Sequence, residues 1–195
     1  KTDGTFTVGF DQDFPPMGFV GDDGEFTGFD LEMAAEVAKR LNLMIAYQPI
    51  AWDAKDMELD AGTIDCIWNG FTMNGREDDY EWSKPYMKNN QVFVVRGDSD
   101  INSEADLAGK NVEVQTDSSA EAALNDKLTS TFGSLTPVAD YNTAFMDLES
   151  GAVDAIAMDD VVASYQITSR KADFKVLDDV IAAEEYGIGF KKGNT

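Results

Sequence analysis

Phe6, Val8 and Phe10 alternate with Thr7 and Gly9, a period of two that predicts a strand ending at Asp11-Gln12-Asp13 and the turn Phe14-Pro15-Pro16. After a loop carrying Gly21-Asp22-Asp23-Gly24 the period lengthens. Ala34, Val37, Ala38 and Leu41 share one face of a helix predicted from about Asp30 to Leu41, with Asp30 and Glu32 near its start and Lys39 and Arg40 near its end, as the helix dipole favours. Leu43, Ile45 and Tyr47 then alternate as a second strand, completing a β-α-β unit. Ile50-Ala51-Trp52 leads into a short helix to about Asp60. The run Ile64-Asp65-Cys66-Ile67-Trp68, bounded by Gly62 and Gly70, has the short apolar character of a buried strand. On this reading Gly70-Phe71-Thr72-Met73-Asn74-Gly75-Arg76 is a polar loop at the strand's carboxyl end, the edge where open α/β sheets bind ligands.

Ser83-Lys84-Pro85-Tyr86 breaks the pattern, and Val92-Phe93-Val94-Val95 is an apolar strand or connector. From about Asp98 the chain turns polar and the alternation starts again. Leu107-Ala108-Gly109-Lys110 is a turn before a strand from Val112 to Gln115. Ser118 with Glu121 three residues later is a capping-box signature for a helix to about Leu128, with Ala120, Ala123, Leu124 and Leu128 on its core face. One internal echo stands out: Leu59-Asp60-Ala61-Gly62-Thr63-Ile64-Asp65-Cys66-Ile67 matches Leu148-Glu149-Ser150-Gly151-Ala152-Val153-Asp154-Ala155-Ile156 in type. Each is a helix end, a glycine stop and a buried strand. The two halves therefore look like similar α/β lobes, the first strand delivering Thr72 and Arg76 and the second Met158-Asp159-Asp160.

Composition narrows the function classes. With 37 acidic against 15 basic residues, the net charge of -22 repels nucleic acid and anionic lipid, so neither is an expected partner. No apolar run approaches the roughly 20 residues that span a bilayer, and with no signal peptide the chain is expected to be cytosolic or mature and processed. Histidine is absent, which removes the Ser-His and Cys-His nucleophilic systems. Cys66, the one cysteine, falls inside the apolar strand as a structural thiol. No cofactor or metal is expected, since Asp22-Asp23-Gly24-Glu25 and Glu77-Asp78-Asp79 lack the EF-hand spacing and suit solvated surface.

Two candidate ligand groups remain. Arg76 can grip a carboxylate with two parallel charge-assisted hydrogen bonds, and Thr72 can add its hydroxyl or its backbone N–H. The alternative for Arg76 is surface pairing with Glu77, Asp78 or Asp79. Asp159 can meet an ammonium group, or else it or Asp160 caps the helix predicted over Val161 to Ser169. A cation from one lobe and a carboxylate from the other suit a zwitterion.

VGFDQDFPPMGF followed by GFDLEMAAEVAKRL, GFTMNGRED with EWSKPY, and GAVDAIAMDD with EYGIGFKKGN occur in the order seen in family 3 solute-binding proteins. These are the extracytoplasmic receptors of polar amino-acid ABC transporters, and the chain resembles them over nearly its whole length. The resemblance implies an α/β fold of the periplasmic-binding-protein-like type II architecture, two lobes with a ligand cleft between them and two crossovers near Lys88 to Gln91 and Glu184 to Gly187. Residues 1–88 would form lobe 1, 92–183 lobe 2, and 187–195 a return strand to lobe 1. By position, Arg76 binds the ligand α-carboxylate with help from Thr72 and Ser119. Asp159 and polar groups of the Gly70 segment hold the α-ammonium, Phe14 and Trp52 sandwich the side chain, and Asp11 contacts a side-chain nitrogen. The implied ligand is a polar or cationic L-amino acid of the arginine, lysine or glutamine class, passed to a membrane permease without catalysis, in the periplasm or at a cell surface under a lipid anchor. A sensory input domain and a dehydratase-like enzyme using Asp159-Asp160 are the rival readings. The chain departs from the family in a loop one residue shorter before Arg76, in Asp117 where glycine is common, and in ending where members continue into two helices covering lobe 1. That last departure leads us to expect homodimerisation or exchange of elements between chains.

Overall fold

A computed structural model describes residues 4–125 and 131–194. They divide into two compact units, one built from residues 1–88 and 184–195, the other from 89–183. In chain order the first unit holds β1 (Thr5–Phe10), β2 (Asp13–Phe14), β3 (Gly18–Val20), β4 (Phe26–Thr27), α1 (Phe29–Arg40), β5 (Met44–Pro49), α2 (Lys55–Ala61), β6 (Cys66–Thr72) and β7 (Tyr80–Trp82). The strand β8 (Met87–Arg96) leads into the second unit, which holds β9 (Asn111–Gln115), α3 (Ser119–Asn125), β10 (Ser134–Val138), α4 (Tyr141–Ser150), β11 (Ala155–Asp159) and α5 (Asp160–Arg170). The long β12 (Phe174–Lys191) starts in the second unit and ends in the first.

In the first unit β1 lies parallel to both β5 and β6, and the end of β12 runs antiparallel to β6 and β7. The expected β-α-β unit is β1, α1 and β5. Val8, Phe10, Leu31, Ala34, Cys66 and Trp68 form its core, joined by a second cluster of Trp52, Leu59, Ile64, Ile67, Phe71 and Tyr80. The small antiparallel sheet of β2, β3 and β4 fills what the sequence left as turn and loop. In the second unit β9 lies parallel to β10 and β11, and β8 pairs antiparallel with β11. Phe93, Val112, Val114, Leu124, Ala157 and Leu177 belong to its core.

The internal echo is structural. Helices α2 and α4 both end on a glycine in the left-handed region, Gly62 (φ 72) and Gly151 (φ 82), a conformation glycine adopts without penalty. Three residues on, an aspartate brackets a neighbouring parallel strand of its own unit, β1 or β9. The Asp65 carboxylate accepts the Thr7 N–H at 2.8 Å while its own N–H donates to the Thr7 carbonyl. The Asp154 carboxylate likewise accepts the Asn111 N–H at 2.9 Å and its N–H donates to the Asn111 carbonyl. Each bracket sets the following strand parallel to the first.

Three expectations need correction. Leu41 was assigned to the helix core face, but α1 stops at Arg40 and Leu41 is the residue after it, 63% exposed, before Asn42 (φ 55) reverses the chain. The segment Gly70-Phe71-Thr72 is not a loop: β6 continues through it, buried at every position, because β12 supplies an antiparallel partner past the point where β1 ends. Ser118 caps α3 by accepting the Glu121 N–H at 3.1 Å, but Glu121 returns its bond to the Asp117 N–H at 2.6 Å, one residue before the cap. Leu128, placed on that helix's core face, lies outside the described residues.

Removing the Asp65 bracket leaves the part-buried Thr7 N–H without its acceptor, at a cost of about 1–3 kcal/mol, whereas the exposed Asn111 N–H can turn to water. Asp65→Ala should lower the urea-unfolding free energy by about 1–3 kcal/mol, and Asp154→Ala by less. An unchanged midpoint in either variant would show its bracket to be dispensable.

Candidate functional site

The sequence-predicted residues sit at the carboxyl ends of parallel strands, each unit carrying its own set. In the first unit β1 runs into Asp11 and Phe14, β5 into Trp52, and β6 ends at Thr72 just before Arg76. Asp11 is buried and accepts the Asp13 N–H at 2.9 Å, which turns the chain into β2. Phe14 is 5% exposed, and a Cβ built on Gly70 (φ 54) would meet its ring at 3.0 Å and the Tyr186 ring at 3.2 Å. Gly70 therefore leaves its side-chain position to two aromatic rings, which any side chain there would have to push aside. Trp52 is buried edge-on against Phe71, with ring centroids 5.4 Å apart and the Lys55 ammonium 5.1 Å from its own ring.

Arg76 lies over the other part of this aromatic chain. Its guanidinium is 5.1 Å from the Phe71 ring centroid and donates to the Thr72 carbonyl at 3.2 Å. The turn that carries it is pinned twice: Trp82 Nε1 donates to the Arg76 carbonyl at 3.0 Å, and Asn74 Oδ1 accepts the Glu185 N–H at 2.8 Å. The Thr72 hydroxyl donates its one proton to Glu184 Oε1 at 2.6 Å. That proton is thus committed within the first unit.

In the second unit β9 ends before Ser119 and β11 ends on Asp159. Asp159 precedes α5 but makes no side-chain cap; its Oδ2 accepts from Asn89 Nδ2 at 3.0 Å. Ser119 Oγ accepts from Gln91 Nε2 at 3.0 Å. Asn89 and Gln91 are two residues apart on β8, so one face of that strand orients both groups. Both are buried, at 5% and 0% exposure.

Sequence reasoning missed several of these supports. Asn89 and Gln91 continue the alternation of Phe93 and Val95 backwards, a signal present in the chain but assigned to a crossover. Glu184 carried no pattern. Asp30 looked like an ordinary acid at a helix start, yet it is fully buried, and its carboxylate accepts the Gly70 N–H at 2.5 Å and the Tyr86 hydroxyl at 2.7 Å. Burial pushes that carboxyl up to about 7, opposed by the hydrogen bonds it accepts. Burial, reinforced by the charge of Asp147, also pushes Glu113 on β9 up to about 7. Cys66 is buried as expected, with its thiol pushed up by burial.

The chain matches the bacterial extracellular solute-binding proteins, family 3, over residues 6–195, and it belongs to that family. The L-cystine-binding protein TcyJ of Escherichia coli is 32% identical over the whole of this chain and 73% of its own length. Among solved structures, an ABC uptake transporter substrate-binding protein from Streptococcus pneumoniae with bound histidine superposes with a TM-score of 0.94 at 33% identity, covering 98% of this chain and 81% of that one. An ancestral arginine-binding protein bound to arginine gives 0.91 at 33% identity, covering 100% and 87%. The fold is accordingly the periplasmic-binding-protein-like type II architecture. Among the described residues no helix is long and apolar enough to cross a membrane.

A carboxyl group that titrates higher in the folded chain than in the unfolded one stabilises the fold at low pH, and that stability is lost as pH rises. For Glu113 the window runs from about 4.5 to about 7. The urea midpoint should fall between pH 5 and pH 8, and Glu113→Gln should flatten part of that slope. An unaltered slope in the variant would remove Glu113 as its source.

Proposed function

We propose that this chain is the amino-acid receptor of an ABC importer, extracytoplasmic and non-catalytic, which binds a polar or cationic L-amino acid and hands it to a membrane permease. The observation that carries the reading is the pair of opposite charges at the strand ends. The first unit offers a guanidinium, Arg76, fixed over Phe71, and the second a buried carboxylate, Asp159, oriented by Asn89. These complement the two main-chain charges of an amino acid. Phe14 and Trp52 supply apolar walls for its side chain, Asp11 favours a side chain that is neutral or positive, Gly70 and Thr72 add backbone groups, and Ser119 adds a hydroxyl. Family membership supports transport over catalysis, and adjacent acids such as Asp159 and Asp160 point apart on a chain rather than forming an acid-base pair. The similarity to a cystine-binding protein brings L-cystine, a long polar zwitterion, into the ligand class alongside arginine, lysine, glutamine and histidine. We propose no dimer as part of this function.

The test is calorimetric. Protein unfolded and refolded to strip carried ligand should bind one or a few of these amino acids saturably at a single site. Two charge-assisted hydrogen bonds of about 1.5–3 kcal/mol each rest on Arg76, so Arg76→Ala should weaken binding by about 10²- to 10⁴-fold. Asp159→Ala should do the same for the ammonium. Both variants should keep the parental circular dichroism. Parental affinity in either variant would discard the assigned site, and silence of the folded parent across the amino acids would discard the reading itself.

A further inference from the structure

Strand β6 is interrupted where it matters most. Its pairing with β12 runs from Thr72 opposite Tyr186 and Phe71 opposite Gly187, then jumps to Ile67 opposite Gly189. Three residues of β6, Trp68, Asn69 and Gly70, thus oppose the single residue Ile188, and a bulge of this kind turns backbone groups out of the ladder. The Gly70 N–H is turned toward α1, where Asp30 Oδ2 accepts it at 2.5 Å. The second oxygen of the same carboxylate accepts the Tyr86 hydroxyl at 2.7 Å. Tyr86 in turn donates its N–H to the Tyr186 carbonyl at 3.0 Å, and Tyr186 is one of the two rings enclosing Gly70.

Resting on the function proposed above, we infer that Asp30 is a positioning residue for ligand binding: its carboxylate anchors the β6 bulge and thereby sets the direction in which Gly70, Thr72 and Arg76 meet the amino acid. Asp30 touches no ligand itself. It acts through Gly70, whose left-handed backbone is held by the bond to Asp30 and flanked by the Phe14 and Tyr186 rings. Without that bond a buried N–H is left with no acceptor, and the bulge relaxes to find one. Phe71 and Thr72 follow directly after it in the chain, and Arg76 is stacked on Phe71, so the displacement reaches the guanidinium.

The test joins a ligand-free measurement to a binding one. In ¹⁵N-labelled protein without ligand, the Gly70 amide proton should resonate far downfield, as expected for a short bond to a carboxylate. Asp30→Ala should abolish that displacement, and Asp30→Asn, whose neutral side-chain oxygen still accepts, should keep part of it. Titrated with L-arginine and L-cystine, Asp30→Ala should bind at least about tenfold more weakly than the parent and Asp30→Asn within about threefold, the span expected for losing the acceptor and for keeping a neutral one. Tyr86→Phe is the milder perturbation if Asp30→Ala does not fold. It removes one of the carboxylate's donors, so the Gly70 proton should move further downfield. An unmoved Gly70 resonance in Asp30→Ala or Tyr86→Phe, or parental affinity in Asp30→Ala, overturns the inference. A parent that binds neither amino acid defeats the functional reading instead, and the Gly70 resonance still decides whether Asp30 anchors the bulge.

Discussion

A strand buried at all seven of its positions has no water to complete its backbone hydrogen bonds, and β6 meets that constraint with three different partners. Near its start it pairs in parallel with β1, through Cys66 and Ile67. At its end it pairs antiparallel with β12, through Phe71 and Thr72. Between them, where the ladder slips, a side chain from α1 takes over at Gly70. The candidate ligand groups of the first unit are placed by this sequence of partners. Gly70 is where the ladder fails, Thr72 is where it resumes, and Arg76 is stacked on the residue between them in the fold.

The second unit solves a related problem with amide side chains. Asn89 and Gln91 lie on one face of β8 and point their donors at Asp159 and Ser119. A buried aspartate held by an amide keeps a defined rotamer. The two units therefore reach similar ends by different means, although their helix-glycine-aspartate-strand passages are near copies.

Much of this was legible in the chain. The β-α-β opening, the dipole-matched charges of α1 and the repeated passage around Gly62 and Gly151 follow from local rules, because glycine in a left-handed stop and aspartate beside a strand are local events. What was not legible depends on distant partners. β6 was cut short at Trp68 because its continuation depends on β12, which arrives more than a hundred residues later, as the Thr72 to Glu184 bond illustrates. Leu41 was placed inside because periodicity does not say where a helix stops. Asp30 reads as a dipole partner because nothing near it in the chain shows that Gly70 needs an acceptor. The roles of Arg76, Thr72, Ser119 and Asp159 were assigned from resemblance and from charge type, while the side chains that orient them became visible only with the fold.

The bond from Asp30 to Gly70 also bears on how such sites can be moved between proteins. Its two ends are forty residues apart in the chain. A graft that copied β6 alone, however faithful in its own residues, would leave behind the carboxylate that accepts its turned-out N–H. The transferable unit is thus the strand together with the one turn of helix that carries Asp30.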